Sequence, residues 1–444
     1  EEMRFTDAYA AAPVCSPTRA AIMSGRYPAA VGVTDWIDFW GAVHPARGKL
    51  IDAPYVDHLP AGETSLASAL SAGGYATWHL GKWHLGGEQH WPEERGFDVN
   101  VGGCEWGAPD NGYFSPWGCP TLADGPEGEY LTDRLGREAA ALIEDHSGGP
   151  FFMNLDFYAV HTPIQAPEER VEGYEAKRRS LGLNDVQEFE IDGRFPAEHK
   201  RDERIRRRVV QSDPTYAAMV ESVDRAVGRV IDALDRTGRL DETVIVVTSD
   251  NGGLATAEGS PTCNSPLSEG KGWMYEGGNR VPFIAWGPGV ESGVCEVPVT
   301  SPDVYPTVLD IAGVPVPDDQ DVDGESLTGL FGGEDELRRD AIYWHYPHYG
   351  NQGGTPAGAI RRGDWKLVEF FEGGVELYDL AADVREQHDL SEHRPDLVAD
   401  LKSDLAAWRE SVGADLPEEN PEFEPWPERA GRETVAERRD DPEP

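Results

Sequence analysis

Segments with apolar residues at helical spacing alternate along the chain with short β-branched or aromatic runs. Residues 64–74 are typical of a capped helix that ends at two glycines, and residues 75–79 follow as a short strand. Residues 216–234 are amphipathic at helical spacing, and residues 243–248 follow as a β-branched strand. This alternation predicts an α/β fold with a large, mixed, mostly parallel sheet sandwiched by helices.

The pattern also divides the chain into regions. Residues 151–158 are an apolar run short enough to be a buried strand, whereas residues 170–213 are charge-dense and indicate an excursion from the core. From about Ala341 the pattern predicts antiparallel strands at 360–371 and 375–380 and a packing helix at 395–412. We therefore expect three parts. These are a main domain over 1–335, a smaller C-terminal α+β subdomain over 336–418, and a disordered tail rich in Pro and Glu over 419–444.

Composition adds an unusual charge. The 444 residues carry a formal net charge of −42, which disfavours nucleic acid and anionic membranes as partners. Acidic residues spread along the whole length favour a solvated coat suited to concentrated salt, and thus a halophilic protein, over one docking patch. An ordinary acidic enzyme is the alternative.

The cysteine pattern and the chain ends exclude few classes of protein. Five Cys match no zinc spacing; Cys104 and Cys119 form either a disulfide or buried free thiols. No run of 18 apolar residues indicates a membrane span. The sequence opens on what resembles mid-domain sequence without an initiator Met, so the compartment stays unknown.

The strongest chemical signal is the segment Cys15–Arg19, Cys-Ser-Pro-Thr-Arg. Pro17 suits the first turn of a helix. Cys15 would then lie where free backbone N–H groups and the positive end of that helix favour an anion. The spacing of Cys15 and Arg19 is too short for the phosphate-binding loop of a cysteine phosphatase. A buried structural Cys beside a turn is the plainer alternative.

Four more segments carry candidate chemistry. Lys82 and His84 lie two residues apart in a glycine-rich loop, so both side chains could face one pocket. The others are His161-Thr162-Pro163, Ser249-Asp250-Asn251-Gly252, and Gly270-Lys271-Gly272 followed by Tyr275–Pro282. Each alone has an ordinary interpretation, such as a core histidine at 161 or a tight turn at 250–252.

Taken in order, these segments resemble the signatures of the formylglycine-dependent, Cys-type, arylsulfatase-like sulfatases of the alkaline phosphatase superfamily, over roughly residues 4–390. The resemblance implies an alkaline-phosphatase-like fold and sulfuric ester hydrolase activity. It also implies that a maturation enzyme oxidises Cys15 to formylglycine, an aldehyde that is hydrated in water. One hydroxyl of the hydrate, made more acidic by calcium, would attack sulfur. Arg19 would stabilise the hydrate, while Lys82 and Lys271 would hold the sulfate oxygens.

The resemblance further implies two proton transfers. His161 would protonate the leaving alcohol, although Lys271 is an equally open candidate for the dominant acid. His84 would take a proton from the second hydroxyl of the hydrate, which expels sulfate and restores the aldehyde. A serine or cysteine lacks this second hydroxyl.

Calcium, with magnesium as the alternative, is the metal that the resemblance implies, with Asp250, Asn251 and the modified Cys15 as ligands. Relatives begin further upstream with a strand that ends in paired aspartates completing the site. The chain as given departs from that pattern. We therefore expect it to lack a central strand and about half of its protein ligands, to bind calcium poorly, and to be weakly active or inactive.

The substrate is less well indicated. Residues 343–348 resemble segments of sulfatases that act on sulfated sugars, and His345 and His348 are candidates for binding a sulfated carbohydrate or small molecule. Ordinary packing explains that segment equally well. Two other functions stay open: a phosphonate monoester or phosphodiester hydrolase that uses the same modified cysteine, and a non-catalytic binding protein.

Overall fold

The computed structural model describes residues 2–38 and 48–425. Its α-helices are α1 (Cys15–Ser24), α2 (Pro28–Val31), α3 (Leu66–Ala72), α4 (Leu131–Asp145), α5 (Glu168–Ser180), α6 (Pro214–Arg236), α7 (Glu276–Asn279), α8 (Val304–Ala312), α9 (Thr328–Phe331) and α10 (Pro395–Ser411). Its strands are β1 (Met3–Phe5), β2 (Ala8–Tyr9), β3 (Leu50–Ile51), β4 (Ala76–Gly81), β5 (Val99–Val101), β6 (Phe151–Asp156), β7 (Phe189–Arg194), β8 (Arg204–Arg208), β9 (Ile245–Thr248), β10 (Phe283–Trp286), β11 (Gly293–Cys295), β12 (Val299–Thr300), β13 (Ala341–Tyr346), β14 (Ala357–Arg362), β15 (Trp365–Phe370), β16 (Val375–Asp379) and β17 (Glu418–Glu419).

The predicted α/β fold with a mixed sheet is confirmed. In the described residues the main strands form two sheets, a parallel one of order β5-β4-β6 and a mixed one of order β11-β1-β10-β9. The side chains of β6 point alternately to the two faces of the sheet. Phe151, Met153 and Leu155 pack against α4 and α6, whereas Phe152 packs against the layer that contains α3 and α8. Both faces of this sheet are therefore covered, as parallel sheets require.

Local signals set the helix ends. The Asp213 carboxylate caps α6 by accepting from the backbone N–H of Tyr216 at 2.9 Å, and Pro214 fills the first helical position. Helix α1 ends at Gly25, whose φ of 72° is left-handed and suits glycine. Among the described residues, no helix combines the length and apolarity needed to cross a membrane.

The predicted C-terminal α+β subdomain is also confirmed. Strands β13-β14-β15-β16 form an antiparallel sheet, and Leu401 and Leu405 of α10 pack on it. The single strand region predicted at 360–371 is wrong in detail, because it contains the end of β14, a turn at Gly363, and β15.

Three other expectations have a definite outcome. The excursion at 170–213 consists mainly of α5 and the β7–β8 hairpin. The predicted tail is ordered at its start, since β17 pairs with β3, whereas residues 426–444 lie outside the described residues. Cys104 and Cys119 are free thiols and do not form the disulfide that the sequence left open.

Candidate active site

Cys15 is the first residue of α1 and is 3% exposed. Its Sγ lies 3.3 Å from Nδ1 of His84. The other ring nitrogen of His84 donates to the carbonyl oxygen of Ile37 at 2.8 Å, which keeps Nδ1 directed at position 15.

Backbone hydrogen bonds fix the loops around Cys15. The N–H of Gly272 donates to Pro13 O at 2.8 Å, which ties the Lys271 loop to the segment before α1. At the end of β4, Gly81 has a φ of 93°, and a Cβ there would lie 1.9 Å from the backbone oxygen of Asp156. Only glycine allows this approach, which directs the chain into the loop that carries Lys82.

Arg19 connects two acidic side chains at the ends of β6 and β9. Its guanidinium lies 2.5 Å from Asp156 and 3.4 Å from Asp250. Burial acts to lower the pKa of Arg19, but the two carboxylates outweigh it and the pKa is raised. Burial likewise acts to raise the pKa of Asp250, yet Lys82 and Arg19 hold it below its ordinary value. Asp250 is therefore a carboxylate at neutral pH.

The charges at position 15 favour an anion. Burial alone would raise the pKa of the thiol, but Lys82, His84 and Lys271 outweigh that effect and hold the pKa well below its ordinary value. Lys82 is itself buried, which lowers its pKa although Cys15 and Asp250 oppose the shift. A sulfate group bound here would meet the same two lysines.

Lys271 and His161 form a close pair. The Lys271 ammonium lies 2.8 Å from Nε2 of His161, and Nδ1 of His161 donates to the carbonyl oxygen of Thr162 at 3.1 Å. Burial, followed by the charges of Lys271 and Lys82, lowers the pKa of His161 well below its ordinary value. In this arrangement His161 is neutral, and its Nε2 can accept a hydrogen bond from Lys271.

Two side chains at this cluster have no motif that would single them out. Asp156 binds Arg19, and its only sequence signal is its position at the end of an apolar run. Glu258 accepts from the Thr162 hydroxyl at 3.3 Å and from the Gln352 amide at 2.9 Å, which joins the His161 loop to the C-terminal subdomain. Nothing in the sequence around Glu258 predicts this contact.

The predicted metal ligands fit calcium only in part. Oδ1 of Asn251 is buried and makes no hydrogen bond within the described residues, as expected of an oxygen that a cation would bind. Asp250 supplies a second hard oxygen, but its Oδ2 lies 4.0 Å from the Lys82 ammonium. Residues 2–38 and 48–425 contain no group of three or more His, Cys, Asp or Glu placed to hold a metal. Calcium prefers six to eight oxygens, so these residues form only part of a shell.

The two histidines predicted to bind substrate are both buried. His345 is 3% exposed, its Nε2 donates to Asp415 O at 2.8 Å, and burial lowers its pKa to about 4. His348 is fully buried, with Nε2 2.8 Å from the hydroxyl of Thr34. Each ring thus has a partner within the protein, and binding of a sugar by these two histidines stays a prediction.

Comparisons with known proteins find chains that are similar to this one over most of its length. The family model described as Sulfatase matches residues 1–314, and that described as N-sulphoglucosamine sulphohydrolase, C-terminal, matches residues 269–411. A protein of Formosa agariphila named Sulfatase is 30% identical, covering 89% of this chain and 79% of its own. Human Arylsulfatase A is 28% identical, covering 90% and 75%. The crystal structure of Ps i-CgsB in complex with k-i-k-neocarrahexaose is 28% identical with a TM-score of 0.71, covering 97% and 88%.

Proposed function

Because the chain belongs to the sulfatase family, and is thus a sulfuric ester hydrolase, we propose that it hydrolyses sulfate monoesters of carbohydrates through a formylglycine made from Cys15, with calcium as cofactor. The observation that carries this proposal is the placement of Cys15 at the start of α1, among Lys82, His84 and Lys271. That environment suits a nucleophile facing a sulfate group.

Formylglycine, once hydrated, would supply a nucleophilic hydroxyl and a second hydroxyl whose loss of a proton lets sulfate depart. The chain's own residues serve both stages. His84, held by Ile37, keeps Nδ1 directed at position 15 and is the base for the second stage. Lys82 and Lys271 bind the sulfate oxygens and offset the charge that develops on them.

We assign the proton for the leaving alcohol to Lys271. Its ammonium donates to a neutral His161, so the pair carries its transferable proton on the lysine before substrate binds. His161 then orients that ammonium and can share the proton as the alcohol departs. Glu258 and Thr162 hold the His161 loop in place from the outer side.

Calcium would supply Lewis acidity at this site. Asp250 and Asn251 would be two of its ligands. With these two protein ligands we expect a Kd for Ca²⁺ no tighter than about 10⁻⁴–10⁻³ M, measured by isothermal titration calorimetry. Asp250→Asn should abolish the binding, whereas Asp364→Asn, an exposed carboxylate in a distant turn, should leave it unchanged. Submicromolar binding that survives Asp250→Asn would show that the metal site lies elsewhere.

Sulfated carbohydrate is the substrate class best supported. Ps i-CgsB binds the sugar k-i-k-neocarrahexaose in its crystal structure, and that protein resembles this chain over 97% of its length. A phosphonate monoester or phosphodiester hydrolase remains the second candidate, because such esters carry the same charge as a sulfate monoester and meet the same two lysines. The family match favours sulfate.

The test begins with maturation. The chain is co-expressed with a formylglycine-generating enzyme, and the peptide spanning 12–19 is examined by mass spectrometry. We expect an aldehyde in place of the thiol at position 15, and faster turnover of an aryl sulfate than of a phosphonate monoester. An unmodified Cys15 in that host would favour a non-catalytic binding protein, and the reverse substrate preference would favour the phosphonate hydrolase.

A further inference from the structure

The hairpin of β7 and β8, residues 189–208, differs in charge from the rest of the chain, and we call it the arm. The chain has 39 basic and 81 acidic residues. Seven basic and five acidic residues lie in the arm, which leaves 32 and 76 elsewhere. The arm is thus a net positive element on a strongly negative protein.

The arm packs against the loop that carries Lys271. Arg207 forms an ion pair with Glu269 at 2.5 Å, two residues before that lysine. Phe195 stacks on Trp273, two residues after it, with ring centroids 5.7 Å apart. The arm is therefore anchored to the loop that carries Lys271, with Arg207 on the face of β8 opposite to that of Arg204 and Arg206.

Three arginines of the arm lack an acidic partner. Arg194, Arg204 and Arg206 are exposed, and none forms an ion pair with a carboxylate of the described residues. Arg194 and Arg204 are moreover opposite each other in the β7–β8 register. Like charges directly across two strands are destabilising unless an anion lies between them.

The arginines are arranged to bind such an anion. Arg204 and Arg206 are two residues apart on β8 and share one face of the hairpin. The Arg206 guanidinium lies 3.4 Å from the centroid of the Phe189 ring, which holds its planar donor group in place. A guanidinium fixed in this way matches the oxygens of a sulfate group, to which it can donate two hydrogen bonds.

The charge of the rest of the chain does not cancel this attraction at physiological salt. Charges in water are screened over about 8 Å at 0.15 M salt, so a bound polyanion senses mainly the groups beside it. Elsewhere on the surface the same polymer meets predominantly carboxylates. Binding would therefore be confined to the arm and to the lysines of the candidate active site.

We propose that the arm binds sulfate groups that flank the ester to be hydrolysed, so that the substrate is an oligosaccharide or polysaccharide carrying several sulfates. The identity of this ligand rests on the proposed function, whereas the existence of an anion-binding surface does not.

The test measures binding of fluorescently labelled dextran sulfate by anisotropy, with neutral dextran as the reference probe. In the triple variant R194Q/R204Q/R206Q we expect the Kd to rise by at least about tenfold at 0.15 M salt. Neutral dextran should not bind either protein. Circular dichroism establishes that the variant is folded, since all three side chains are exposed.

A matched control removes the same number of charges elsewhere. The variant R179Q/R225Q/R338Q replaces three exposed arginines that are each paired with a glutamate. Its Kd should stay within about twofold of the wild type. An equal loss in both triple variants would mean that net charge alone governs binding, and it would overturn the proposal.

Two further outcomes decide the matter. Unchanged dextran sulfate binding by the arm variant would overturn the proposal, as would light scattering that shows the wild type to be a dimer and the arm variant a monomer. Turnover of 4-nitrophenyl sulfate is measured on the same samples and should be equal in wild type and arm variant. If the wild type binds dextran sulfate but does not hydrolyse 4-nitrophenyl sulfate, the result counts against the proposed function alone. If it hydrolyses the ester but does not bind dextran sulfate, the result counts against the proposal for the arm alone.

Discussion

Cys15→Ala lowers turnover of 4-nitrophenyl sulfate by about 10⁴-fold or more relative to the mature wild type. The substitution removes the atom from which the nucleophile is made, and no other group next to His84 can replace it. The fold should survive, because alanine is the best helix former and position 15 is helical. The assay contains millimolar calcium, so that a weak metal site is filled.

The control for this variant is Cys263→Ala, which removes a partly exposed thiol outside the cluster. Its turnover should match the wild type. Retention of more than about a tenth of wild-type activity by Cys15→Ala would contradict the assignment of the nucleophile, since loss of a covalent nucleophile normally costs far more. Equal losses in both variants would point to a folding defect.

The candidate site could be proposed from sequence because its segments are short motifs that, taken in order, resemble the signatures of the sulfatases. Lys82 and Asp250 lie in loops that follow β4 and β9, and each loop contains its own glycine and turn signals. The ligands of α/β proteins gather where strands end, so two such loops are expected near each other. The amphipathic helices and buried strands were predictable for the same reason, as their patterns span only a few turns or residues.

What could not be predicted depends on contacts between distant segments. Asp156 is identified only by its contact with Arg19, 137 residues away. The aromatic segment that contains His345 was equally compatible with packing and with sugar binding, and its burial in β13 depends on contacts that the sequence pattern does not contain. The division of the main strands into two sheets likewise depends on which strands pair. Because β6 and β9 are similar apolar runs, their sequences do not show that they belong to different sheets.

A buried cluster of charged side chains between the main domain and the C-terminal sheet also could not be predicted from the sequence. Lys366 of β15 is fully buried, and its ammonium lies 2.9 Å from both Glu276 and Glu386. Glu276 begins α7, just after the Lys271 loop, and also accepts from the hydroxyl of Tyr9 at 2.7 Å. A lysine in a sequence is ordinarily placed on the surface. Here it joins the C-terminal sheet to the segment that follows the site.

Lys366→Met therefore lowers the free energy of unfolding by about 3–5 kcal/mol, measured by urea denaturation at pH 8, because it leaves two buried carboxylates without their cation. Burial, with help from Glu276, already raises the pKa of Glu386 to about 7 despite Lys366. A carboxyl with a raised pKa contributes stability at low pH that is lost as the pH rises through that value, so the loss of stability in Lys366→Met should shrink towards pH 5.

Lys402→Met, which removes a partly exposed lysine, is the control and should cost under about 1 kcal/mol. A deficit equal to that of the control, or one that grows as the pH falls, would show that the buried charges do not hold the two parts together.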